Sequence, residues 1–325
     1  MRVLVIGAAG FIGSHLVSAL LKRGRLVNRA GELEPIEEIV LADAAPPVYP
    51  AVAPAIRAEV GDFTDLAFVQ RLFHDRVDSV FPLAATLTAE AEANFAQGLR
   101  VNVLAFLQML EACREQGTSP RLVFASSVAA FGGMLPDVVD DSVAQTPQTS
   151  YGTHKAITEL LINDYSRHGF IDGRALRLPI VLIRPGTPSP TVSDRVAAIV
   201  REPLQGRDVV CPFGPQTRLP VASARRVAQC LITLHDLPAN AFGDSRAMNL
   251  PALTVTVQEM IGSLERFRDT RRVGRVSFAP EAWMQAIVDQ WPKQFVSARA
   301  TRYGIGADAS FDEIVGAFLE DYPPL

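Results

Sequence analysis

Tyr151 and Lys155 stand four residues apart in Ser150-Tyr151-Gly152-Thr153-His154-Lys155-Ala156, a spacing that places phenol and ammonium on one face of a helix. An ammonium beside a phenol favours the tyrosinate and draws its pKa down from about 10 towards working pH. Tyr151 is therefore a candidate general acid/base for a substrate hydroxyl or carbonyl, with Lys155 as its support. Upstream, the apolar run RLVFASS ends in Ser126 and Ser127, hydroxyls able to orient the same substrate oxygen. Tyr-x-x-x-Lys alone is common; joined to strand-end serines and a glycine-rich turn it points to redox chemistry at a carbinol carbon.

That turn is Gly7-Ala8-Ala9-Gly10-Phe11-Ile12-Gly13, placed directly after an apolar run and before an amphipathic one. Glycines there permit a tight turn and close approach of a pyrophosphate, and the helix start offers free N–H groups to it. The spacing is GxxGxxG rather than GxGxxG. Asp43 ends the second strand candidate, where a carboxylate accepts from both adenosine ribose hydroxyls and repels a 2′-phosphate, favouring NAD over NADP. Asp62, after the third strand, is placed to receive the adenine amino group, although Asp62 or Thr64 reads equally well as a helix N-cap.

The elements that must carry these residues follow from periodicity. Residues 2–7, 37–43, 79–85 and 121–127 read as strands apolar on both faces, with helical patterns such as 11–24 between them. Such strands belong in a parallel sheet covered by helices on each side, so the predicted fold is α/β: a doubly wound parallel (Rossmann) sheet with a smaller C-terminal lobe. The expected division is 1–178 for the dinucleotide-binding domain and 179–325 mainly for a substrate lobe, with segments around 217–250 returning to the first domain. Residues 24–36 read as an inserted loop, and LPIVLIRPGTPSPTVSDR from Leu178 as an irregular crossing. Helices are predicted at 225–237 and 257–267, and over much of 281–322.

Three hundred and twenty-five residues, 48% hydrophobic and 20% charged, suffice for a packed core. A net charge of −4 without a basic tract argues against nucleic acid and membrane surfaces as partners. Cys113, Cys211 and Cys230 are scattered and read as buried small hydrophobes, not as a disulfide framework or zinc site. His74, His168 and His235 look isolated, so no metal is expected. Asp140 and Asp141 read as solvated. The glycines of the first sixteen residues interrupt any signal-peptide core, and a cytoplasmic protein is expected.

Taken together, these residues resemble the extended short-chain dehydrogenase/reductases, the superfamily of nucleotide-sugar epimerases and dehydratases. The resemblance covers essentially the whole chain. It implies NAD bound at Gly7, Gly10, Phe11, Ile12 and Gly13, with Leu83-Ala84-Ala85 along the cofactor and Asn102 as that family's helix asparagine. It further implies Ser127 and Tyr151 at the reacting oxygen, Lys155 also on the nicotinamide ribose, Ser126 close to the cofactor, and Pro179-Ile180 beside the nicotinamide. Segments 87–103, 150–190, 201–213 and 302–322 are similar to one branch, the NAD-dependent dehydrogenases of D-erythronate, which oxidise the C2 hydroxyl of a four-carbon sugar acid to a 2-oxo acid. Pro82 stands where a histidine is more usual, and Thr86-Leu87-Thr88 also departs from the branch. A small acid needs a few donors for its carboxylate; Thr86, Thr88, Arg184 and Arg218 are the candidates. The superfamily also implies a homodimer built on helices 94–116 and 151–168. The alternative reading is a nucleotide-sugar 4-epimerase or dehydratase holding its NAD tightly.

Overall fold

In the computed structural model, which describes residues 1–47, 49, 55–187 and 191–323, seven parallel strands form the central sheet. They are β1 (Arg2–Ile6), β2 (Glu38–Asp43), β3 (Ala55–Val60), β4 (Ser79–Pro82), β5 (Arg121–Ser127), β6 (Asp172–Leu178) and β7 (Ala247–Asn249). Their order is β7-β6-β5-β4-β1-β2-β3, so the chain winds outward from β1 first one way and then the other. The fold is the doubly wound Rossmann type expected from the sequence.

Period-two alternation explains why these runs are strands rather than buried helices. Val3, Val5, Ile39, Leu41, Val123 and Ala125 join one core, with α1 (Phe11–Arg23) and α5 (Ala224–Asp236). Leu4, Ile6, Val40, Ala42, Leu122 and Phe124 face the opposite core, under α2 (Leu66–Leu72), α3 (Ala105–Gln116) and α4 (Ser150–Arg167). A strand buried on both faces needs apolar residues at every position. The edge strand β3 is mostly half-exposed, and its AIRAEV sequence carries charge accordingly.

Beyond β6 a third core gathers around a small sheet of Ile180–Leu182, Arg218–Ser223 and Leu253–Thr256. Helices Val192–Leu204, Val257–Leu264 and Phe311–Asp321 surround it. Here the expected irregular crossing gives way to order: its start pairs in parallel with Val221–Ser223, and its end begins a helix whose cap is Thr191. Residues 188–190 of that proline-rich stretch lie outside the described residues. The supposed loop 24–36 is also structured, as an antiparallel hairpin of Arg25–Val27 and Leu33–Pro35. Both errors have one cause, since runs of three strand residues are too short to show a period. No helix among the described residues is long and apolar enough to cross a membrane.

Candidate active site

The C-terminal ends of β1, β2, β4, β5 and β6 bring the predicted residues to one edge of the sheet, where doubly wound folds bind ligands. After β1 the chain reverses through Gly7, whose φ is +85° and whose amide donates to Ala42 O at 2.8 Å. A Cβ on Gly7 would stand 2.6 Å from Ala84 N, and one on Gly13 2.1 Å from Gly7 O. No side chain caps α1, and its first turn carries no acid. The uncapped amides and positive dipole end of Phe11, Ile12 and Gly13 fit a pyrophosphate laid against the turn.

Asp43, at the end of β2, accepts from Ala9 N at 2.9 Å and from Ala45 N at 3.2 Å. The turn thus fixes its carboxylate beside the glycines, with lone pairs left for ribose hydroxyls. Tyr49 donates to Ala8 O at 3.2 Å and is a wall of this region that sequence reasoning missed. Asp62 accepts from Thr64 N at 2.8 Å, and those hydrogen bonds hold its carboxyl below the usual range. The cap of α2 is Asp65, which accepts from Ala67 N, and neither Asp62 nor Thr64 caps the helix.

Leu83 and Ala84 both donate to Ile6 O, at 2.7 and 3.1 Å, which draws the 83–86 segment across the end of β1. Asn102 clamps that segment from the other side. Its Oδ1 accepts from Thr86 N at 2.9 Å and its Nδ2 donates to Thr86 O at 3.0 Å. Asn102 lies in the π-helical turn Arg100–Leu104, the kind of local widening that often accompanies function. Nδ2 also lies 3.3 Å from His154 Nδ1, and burial keeps that imidazole's pKa low. The Thr86 hydroxyl is a buried polar atom without a hydrogen-bond partner. Thr88 begins the short helix Thr88–Ala93, whose Glu92 accepts from Ser150 N at 2.7 Å.

The reacting face is made by α4 and the end of β5. Thr149 caps α4 through Gly152 N, and a Cβ on Gly152 would fall 1.9 Å from Ala129 O. The first turn of α4 therefore presses onto the segment following Ser127. Ser127 Oγ accepts from Ala129 N at 3.1 Å; burial pushes the Tyr151 phenol up to about 12, against a smaller downward pull from the neighbouring Ser127. Lys155 is buried: its Nζ donates to Ala125 O at 2.8 Å and lies 5.4 Å from the Tyr151 ring centroid. Burial brings its pKa down to about 7, against the opposing charge of Glu159. A tyrosinate so placed can take the proton of a carbinol, and a neighbouring ammonium favours that tyrosinate.

Other candidates lie elsewhere. Ser126 faces away from Ser127, since neighbours on a strand point to opposite sides, and its hydroxyl donates to Glu159. Pro179 and Ile180 are buried just past β6. Arg184 and Arg218 are exposed, with Arg218 4.0 Å from Asp137. Asp141 is not solvated as expected: it accepts from Asn249 N at 2.7 Å and Ser297 Oγ at 2.6 Å. Nor is His235 isolated. Its Nε2 lies 2.8 Å from Ser79 Oγ and its Nδ1 2.8 Å from Asp236 Oδ1. Glu159, which pairs with Arg177, was missed outright, although Tyr151, Lys155 and Glu159 recur at i, i+4 and i+8. The three cysteines are buried and free, and no cluster among the described residues suits a metal.

The NAD dependent epimerase/dehydratase family model matches residues 3–241. D-erythronate dehydrogenase of Cupriavidus necator is 43% identical over 321 residues, covering 99% of this chain and 98% of that protein. The Haemophilus influenzae protein of the same name is 35% identical over 320 residues, covering 98% and 99%. Among solved structures, a nucleoside-diphosphate-sugar epimerase from Agrobacterium tumefaciens superposes with a TM-score of 0.90 at 36% identity, covering 99% of this chain and 94% of that one.

Proposed function

This chain belongs to the NAD dependent epimerase/dehydratase family, and on that premise we propose that it oxidises the C2 hydroxyl of D-erythronate to 2-oxo-tetronate. That it is an NAD-dependent oxidoreductase follows from the family and its dehydrogenase relatives; the substrate rests on those relatives. The observation that carries the chemistry is the grouping of Tyr151 with Ser127 and the buried Lys155 ammonium at the strand ends.

In this reading Gly7, Gly10, Phe11, Ile12 and Gly13 hold the pyrophosphate and Asp43 the adenosine ribose. Asp62 lies towards the adenine, and Leu83, Ala84, Ala85, Pro179 and Ile180 line the nicotinamide end. NAD⁺, when bound, supplies the hydride acceptor. Tyr151 Oη takes the C2 hydroxyl proton while Ser127 holds the same oxygen. Charged Lys155 stabilises the tyrosinate, offsetting the burial that otherwise keeps the phenol protonated. Asn102 fixes the 83–86 segment, so that Thr86 and Thr88 face the acid; Arg184 and Arg218 in the lobe 179–325 are the cationic candidates for its carboxylate.

The same reading holds the protein to be a cytoplasmic homodimer. Exposed Phe95, Leu104 and Leu160 lie on the helices that would form its interface, and light scattering on the purified protein tests the dimer.

The deciding assay is NADH absorbance with NAD⁺ and D-erythronate, D-threonate, L-threonate and a UDP-sugar in parallel. Absorbance should rise with D-erythronate, and Tyr151→Phe should reduce the rate by about 10²–10⁴-fold, the range for general acid–base catalysis, with NAD binding intact. A rise with another acid corrects the substrate. Conversion of the UDP-sugar without net NADH establishes the epimerase instead.

A further inference from the structure

Beneath the reacting face lies a buried charge network that the proposed chemistry does not itself use. Glu159 is one turn beyond Lys155 on α4 and is buried. Its carboxylate takes a bidentate grip from Arg177 of β6, with Nη2 at 2.8 Å and Nε at 3.0 and 3.1 Å. Ser126 Oγ of β5 donates to the same carboxylate, and so does Gln145 Nε2 at 2.9 Å. Arg177 continues to Asn249 Oδ1 of β7 at 3.2 Å, and Asn249 Nδ2 reaches Val139 O and Val296 O. One carboxylate therefore ties α4, which carries Tyr151 and Lys155, to β5, which ends in Ser127, and to the neighbouring β6.

We infer that Glu159 is a positioning residue of the reaction: its buried carboxylate, one helical turn from Lys155, favours the charged form of that side chain and, through Ser126 and Arg177, fixes α4 against the ends of β5 and β6. This rests on Tyr151 and Lys155 being the reacting pair. The Lys155 ammonium has one hydrogen bond, to Ala125 O, and otherwise faces the rings of Phe124 and Tyr151. A cation in such surroundings tends to lose its proton unless a negative charge compensates. Glu159 supplies that charge, and it is the charge that opposes the burial-driven fall in the Lys155 pKa. The charged groups around the pair are Glu159 itself on α4 and Arg177 on β6, with Arg299 and its partner Asp141 within electrostatic reach of Arg177, while β5 contributes the neutral Ser126 and Ala125 O. Arg177 does not leave the carboxylate inert, because a hydrogen-bonded ion pair remains a dipole, and its negative end belongs to the helix that carries Lys155.

The test is the protonation midpoint of Lys155 in the ligand-free full-length protein, with and without the carboxylate. Urea unfolding of wild type and Lys155→Met, compared from pH 5 to 11, yields that midpoint from the pH dependence of the difference. The same comparison is made between Glu159→Gln and Glu159→Gln/Lys155→Met. The midpoint should fall by about one pH unit or more without Glu159, the lower end of the effect of a close opposite charge. The alkaline limb of kcat should move the same way. Glu159→Asp should restore part of both.

An unchanged midpoint, with any rate loss independent of pH, would assign Glu159 to structure alone and overturn the inference. If Glu159→Gln fails to fold because Arg177 is left unpaired, Glu159→Gln/Arg177→Met removes the whole pair and serves in its place. Full turnover by Lys155→Met would instead refute the underlying reading of the reacting pair, a result distinct from either outcome for Glu159.

Discussion

Lys155→Met should make the protein more stable at neutral pH while destroying its proposed activity. The Lys155 pKa falls from 10.5 to about 7 on folding, because burial withdraws the ammonium from water. Between those values the unfolded chain holds a proton that the folded protein has released, so wild-type stability rises with pH from about 7 to 10.5. Below pH 7 both states are protonated and the cost of burying the charge is fully present. At 1.36 kcal/mol per pK unit that cost is about 4 kcal/mol at pH 7 and has almost vanished by pH 10.5. Methionine removes it but also takes away the donor to the buried Ala125 O, a loss of about 2 kcal/mol whether the donor is ammonium or amine. The variant should therefore exceed wild type by about 2 kcal/mol at pH 7 and fall below it by about as much at pH 10.5, crossing near pH 9. Urea denaturation followed by circular dichroism at several pH values measures the difference. A gap that keeps one sign and size across that range would refute the argument, since it would mean that Lys155 does not bury a charge.

Three further outcomes follow from other features. Gly13→Ala should weaken NAD binding at least about tenfold by calorimetry, because the added methyl lies 2.1 Å from Gly7 O and must open the turn; unchanged affinity would separate the turn from the cofactor. Asp43→Asn should narrow the preference for NAD over NADP by removing the charge that repels a 2′-phosphate, read as the ratio of kcat/KM for the two. On the acid side, burial lowers the His235 pKa from 6.5 to about 4. The unfolded chain thus takes up a proton that the folded one refuses, and stability present above pH 6.5 is lost as pH falls towards 4, by about 3 kcal/mol in all. His235→Gln should flatten that part of the urea-midpoint profile, and an equal slope in both proteins would exclude His235 as its source.

The sheet, the glycine turn and the Tyr151–Lys155 pair are legible from the amino-acid order alone, because each depends on local spacing. Strands covered on both faces must be apolar at consecutive positions, a turn that cannot admit a Cβ must use glycine, and one helical turn fixes which residues share a face. Short strands such as Ile180–Leu182 escaped because three residues show no period. Contacts between elements emerge from the folded arrangement and not from local spacing. Glu159 and Arg177 meet across α4 and β6, Asn102 closes on the backbone of Thr86 sixteen residues away, and His235 of α5 finds Ser79 at the start of β4. Asp141, one of two adjacent acids, is drawn inward by Asn249 and Ser297 while Asp140 stays exposed. A charged or polar side chain reads the same in sequence whether it meets water or a partner. Which it meets is set by the burial that folding imposes, and that burial moves the Lys155 and His235 pKa values.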